Sequence, residues 1–131
     1  MNITVISVGK IKEKYFTAAI DEYSKRLSRF AKLNIIEVAD EKIPDNASEK
    51  EMEQIKEKEG NKILAKLPQN SFVVTLCIEG KEHSSEELAK KIADISMTSS
   101  HITFIIGGSL GLSDTVKSKS ALRLSFGIMT L

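Results

Sequence analysis

The chain has 131 residues, 41% of them apolar, and 19 Lys/Arg against 18 Asp/Glu give it a net charge of +1. That length suits one domain over residues 1–131 that buries roughly two thirds of its unfolded surface, so neither a disulfide framework nor a structural metal is needed, and with one cysteine and two histidines neither is expected. The opening MNITVISVGK lacks a signal peptide's charged lead and long apolar stretch, and no run reaches the ~20 apolar residues of a membrane helix, so the expectation is a soluble, cytoplasmic protein with no membrane partner.

In chain order, ITVISV (3–8) reads as a short buried strand, and Tyr15, Ala19, Tyr23 and Leu27, beside Phe16, Ile20 and Phe30, recur with a helical period. LNIIEV (33–38) is a second strand. After the loop around Pro44, Ser48 and Glu51 form a capping-box pattern that opens a helix through Met52, Ile55, Ile63 and Leu64, closed by Pro68.

SFVVTLCI (71–78) is a third strand, within which Cys77 reads as a buried, inert thiol. EGK follows as a turn, and Ser84 with Glu87 caps a helix whose apolar side is Leu88, Ile92 and Ile95. HITFII (101–106) is a fourth strand. Beyond the glycine turn, Ser113 or Asp114 caps a short helix, and LRLSF (122–126) begins a fifth strand.

Strands separated by helices run parallel, and their near-continuous apolar runs demand cover on both faces, so the fold class is α/β, an open parallel sheet with helices on both faces. Ligands in such sheets bind beyond the carboxyl ends of the strands. The places to look are therefore Leu76 to Lys81, Gly107 to Leu112 and Gly127 to Leu131.

The stretch FIIGGSLGLSD (104–114) admits several chemistries. Gly107, Ser109 and Gly111 match G-x-S-x-G, the nucleophile elbow of hydrolases. The general-base His of that class follows the Ser, whereas His83 and His101 both precede Ser109. A phosphate loop needs a Gly-Lys pair, and the first lysine after the turn is Lys117; dinucleotide spacing fits only Gly107. Two readings stay open: paired glycines that let bare main chain approach a ligand, and a plain tight turn before a capped helix.

Charge is uneven. Residues 1–33 carry seven Lys/Arg against three acids, and residues 34–60 carry nine acids against four Lys. Lys10, Lys12, Lys14, Lys25, Arg26 and Arg29 read as ordinary solvated helix faces or a nucleic-acid footprint; composition alone does not reveal an RNA partner, and an RNA-contacting face on these six is an expectation that comes with the family resemblance below.

VGKIKEKY (8–15), EYSKRL (22–27), IIEVADEKIP (35–44), KEKEGNKIL (56–64) and FIIGGSLGLSD together resemble the ribosomal RNA large subunit methyltransferase H family, a branch of the SPOUT methyltransferase superfamily. The resemblance runs the length of the chain. It implies an α/β-knot methyltransferase fold, S-adenosyl-L-methionine as cofactor, a homodimer, and as substrate a pseudouridine of 23S rRNA within the ribosome, methylated at N3. It maps cofactor contacts onto Leu76, Gly107, Phe126, Gly127, Ile128, Met129, Thr130 and Leu131, although Gly127 and Ile128 depart from the family's usual residues.

The family pattern also continues past Leu131, with a Pro-His pair and a Tyr-His motif followed by a basic residue, in a tail that threads the knot, meets the partner subunit and carries polar groups toward the RNA. Two expectations result: a methyltransferase whose knot-forming tail and catalytic groups lie beyond Leu131, or a shortened relative that binds cofactor or dimerises without catalysis. A small esterase using Ser109 is the remaining alternative.

Overall fold

In the computed structural model, residues 2–10, 32–82 and 85–125 are described. The apolar runs form five strands: β1 (Asn2–Val8), β2 (Lys32–Val38), β3 (Phe72–Glu82), β4 (His101–Ile106) and β5 (Leu122–Ser125). They pair in the order β2-β1-β4-β3-β5, and every neighbouring pair is parallel.

Alternation along each strand sends Ile3, Val5, Val74, Ile102 and Phe104 to one face of the sheet and Ile6, Val8, Val73 and Ile105 to the other. Helix α2 (Ser85–Ser96) covers the first face with Ile92 and Ile95. Helices α1 (Glu49–Lys66) and α3 (Asp114–Ser118) cover the second, through Ile63, Leu64 and Val116. The class is therefore the α/β sheet, covered on both faces, that the apolar runs demand. The helix expected over residues 15–30 and the cap at Ser84 lie outside the described residues.

Local chemistry sets the boundaries. At the start of α1 both halves of the capping box form, with the Glu51 N–H donating to Ser48 Oγ at 3.1 Å and the Ser48 N–H donating to Glu51 Oε1 at 3.2 Å. The helix stops at Lys66, two residues before Pro68. Of the two candidate caps for α3 it is Ser113 that serves, its Oγ accepting the Val116 N–H.

One expectation needs correction. Residues 79–81, read as a turn, belong to β3. Leu76 and Lys81 both pair with Leu124, so the residues between them leave the β5 ladder in a bulge-like irregularity. A glycine flanked by polar residues carries the same signal for a bulge as for a turn.

Helix α1 also fixes the loop that follows β2. Lys62 Nζ donates to the Ala39 carbonyl at 3.1 Å and lies 2.9 Å from Glu41 Oε1, while the Glu41 N–H donates to Glu59 Oε2 at 2.9 Å. The hydrogen bond from Lys62, and then its charge, hold the Glu41 carboxyl below the ordinary glutamate value.

A depressed pKa of this kind contributes stability above the unfolded-state value that is lost as pH falls through the folded-state one. Replacing Lys62 by Met is expected to raise the Glu41 pKa toward the ordinary value, read by NMR titration of its side-chain carbon. Ile63 is fully buried; Ile63→Ala is expected to cost about 2–5 kcal/mol, measured by urea denaturation.

Candidate functional site

At the carboxyl edge of the sheet, neighbouring strands β3 and β4 send the chain in opposite directions. From β3 it passes to α2 on one face, and from β4 to α3 on the other. A crevice opens where such connections part, and in open α/β sheets that is where ligands sit. Here it holds a pocket of about 220 Å³ lined by Leu76 from β3, Ile106 from β4, the turn from Gly107 to Leu112, and Lys56 and Lys117. A shallow bay of about 510 Å³ shares Lys56 and Leu110 with it and extends along the first turns of α1 past Lys50, Met52 and Glu53. Lys56 is paired with Glu53 at 2.8 Å.

The glycine turn is built by close approach. Gly111 N–H donates to the Gly108 carbonyl at 3.0 Å, closing a four-residue turn with Ser109 and Leu110 at its tip. A Cβ on Gly107 would stand 2.8 Å from the main-chain carbon of Gly111 and 3.0 Å from Leu112 Cδ2, so this position admits no side chain. Gly111 adopts φ +86°, a left-handed conformation, and nothing lies within 4 Å of where its Cβ would be. The turn thus offers bare main chain to open space on one side and is packed solid on the other.

These details decide between the readings of G-x-S-x-G. Ser109 is exposed at the turn tip, and its φ is not among the positive values that mark strained backbone in the described residues. His101 sits at the amino end of β4, where Nε2 meets Thr4 Oγ1 at 2.7 Å, a strand length of roughly 20 Å from the turn. His83 lies outside the described residues. Nothing in this geometry makes Ser109 a nucleophile.

The strand ends thus bring the glycine turn and the apolar Leu76 of the neighbouring strand to one pocket, and the described residues place no histidine beside Ser109. A family model described as "Predicted SPOUT methyltransferase" matches residues 1–131. The chain belongs to the SPOUT methyltransferase family. It is 61% identical over 131 residues to a ribosomal RNA large subunit methyltransferase H of Clostridium botulinum (strain Kyoto / Type A2), and 58% identical to proteins of that name from Clostridioides difficile (strain 630) and Clostridium novyi (strain NT). Each alignment takes in 99% of this chain and 82% of the relative.

Of the residues expected to hold cofactor in this SPOUT protein, Leu76 and Gly107 are brought to the same pocket. Phe126, Gly127, Ile128, Met129, Thr130 and Leu131 lie outside the described residues, as do five of the six candidate RNA-contacting residues. The sixth, Lys10, is exposed just beyond β1. Sequence reasoning missed Lys56 and Lys117, which carry no local signal. It also missed Glu59, whose signal was available: a carboxylate on the apolar stripe of α1, four residues before Ile63.

Among the described residues no cluster of His, Cys, Asp or Glu could hold a metal ion, and no helix is long and apolar enough to cross a membrane. Two substitutions separate the two kinds of glycine. Gly107→Ala meets main chain that cannot swing aside and is expected to cost about 1–3 kcal/mol, whereas Gly111→Ala meets only the left-handed backbone penalty of roughly 1–2 kcal/mol. Amide exchange of the turn in both variants, with denaturation curves, checks this: Gly107→Ala should loosen the turn and Gly111→Ala should leave its packed side intact.

Proposed function

We propose that this chain is an S-adenosyl-L-methionine-dependent methyltransferase that methylates N3 of a pseudouridine in 23S rRNA of the large ribosomal subunit. It works in the cytoplasm as a homodimer, with residues 1–131 forming one methyltransferase domain. The observation that carries the reading is the meeting of Leu76 and the glycine turn, Gly107 to Leu112, in one pocket at the switch point of a SPOUT chain.

The residues present suit the cofactor. Leu76, Ile106 and Leu112 give apolar surface for a purine face, and the glycine turn exposes main-chain groups that recognise adenine and ribose edges without side chains intervening. The pocket with its adjoining bay falls in the range of about 300–1,000 Å³ typical of small-molecule sites. Phe126 to Leu131, which the family resemblance assigns to the cofactor, come directly after β5 in the sequence.

When bound, the cofactor supplies an already activated sulfonium methyl. What remains for the protein is to hold donor and acceptor in line and to help the imide N3 shed its proton. The rigid glycine turn, packed against Leu112, serves the first task. Ser109 shapes the turn tip and takes no part in proton transfer.

Full-length protein with labelled cofactor and ribosomes from a strain lacking the gene tests the reading. One N3-methyl pseudouridine should appear in 23S rRNA; no incorporation, or an unchanged modification map on gene deletion, would overturn it. Ser109→Ala is expected to retain activity within about threefold. Neutralising Lys10, Lys12 and Lys14 together is expected to weaken ribosome binding and flatten its salt dependence.

A further inference from the structure

Glu59 lies on the buried face of α1 between Ile55 and Ile63 and keeps only 5% of its surface exposed. A carboxylate is costly to bury among apolar side chains unless its oxygens are engaged. Oε2 accepts the Glu41 N–H at 2.9 Å, in the loop after β2. Both oxygens also lie against the glycine turn: a Cβ on Gly108 would stand 3.2 Å from Oε1 and 3.4 Å from Oε2, with Val8 Cγ1 at 3.2 Å on its other side. The carboxylate therefore borders closely on the space that the missing side chain leaves. Gly108 is also the residue whose carbonyl closes the turn onto Gly111.

One side chain thus touches two loops at the carboxyl edge of the sheet, and one of them lines the pocket. We propose that Glu59 is a positioning residue for the methyl-donor pocket, its buried carboxylate bracing the Gly108 main chain against the loop after β2 and so holding the glycine turn in its cofactor-receiving shape. The inference rests on the pocket being the S-adenosylmethionine site. Glu59 touches neither reacting atom; it acts through the turn. A purely structural glutamate would lower stability without singling out the cofactor.

The test uses the full-length protein and four variants: Glu59→Gln, Glu59→Ala, Gly108→Ala, and the last two combined. Glu59→Gln keeps the side chain's volume but replaces one of its two oxygens by an NH2 group, so it cannot present an oxygen to both the Glu41 N–H and the Gly108 main chain, and it carries the test if Glu59→Ala does not fold. S-adenosylmethionine affinity is read by calorimetry, KM and kcat by ribosome methylation, and exchange of the 107–112 amides by mass spectrometry without cofactor.

Glu59→Gln is expected to weaken cofactor binding about tenfold and to raise KM for it while kcat stays within about threefold, with faster exchange at the turn. The double variant should bind no worse than the weaker single one, because both changes strike one contact. Cofactor affinity within about twofold of wild type in Glu59→Gln, or independent effects of Glu59→Ala and Gly108→Ala, would overturn the proposal. Failure of the wild-type protein to bind cofactor would sink the proposed function, and the exchange measurement would then decide the bracing role alone: faster exchange at the turn in Glu59→Gln upholds it, and unchanged exchange ends it.

Discussion

A parallel sheet that is apolar on both faces has to be covered on both faces, and that demand organises the chain. Ile3, Val5 and Phe104 look one way and Ile6, Val8 and Ile105 the other, so successive connections cannot all lie on the same side. Where β3 and β4 lie side by side, their connections part toward opposite faces. The crevice between them is a by-product of covering the sheet, and it supplies a site before any functional side chain is specified.

What the sequence adds to that crevice is mostly subtraction. Gly107 removes a side chain where main chain must pass main chain at van der Waals limits, and Gly108 removes one where Glu59 and Val8 press in. The resulting turn is held by contacts from behind, which leaves its outward side free to face a ligand. In the reaction proposed above, a turn held in this way would matter more than a reactive side chain, since alignment can supply much of the barrier reduction.

The strands were legible because each is a compact apolar run, and the helix starts because Ser48, Glu51 and Ser113 follow capping rules that depend only on neighbours three residues away. Leu76 and Gly107 could be placed at one pocket from the rule that ligands gather at strand ends. The bulge at residues 77–80 was not legible as such, because glycine and polar residues signal turns and ladder irregularities alike. Nor could spacing decide whether Gly107-Gly108-Ser109-Leu110-Gly111 was an elbow: the answer lies in the backbone of Ser109 and in His101 being at the far end of β4. Lys56 and Lys117 reach the pocket only through the way α1 and α3 dock, which no short window of sequence contains.

Little more than one turn of α1 touches four things at once. Glu59 reaches the glycine turn and the loop after β2, Gly60 lets Ser113 and Val116 of the α3 segment come close, and Ile63 fills the core. Each residue added to a helix rotates everything beyond it by about 100°, so one extra residue between Ile55 and Glu59 would turn all four contacts away together. Insertions and deletions should accordingly be absent from that stretch in working descendants of this chain, while the exposed segment from Lys42 to Asn46 is free to change length. The helix thus behaves as a ruler, and the spacing of its residues is under tighter restraint than the identity of most of them.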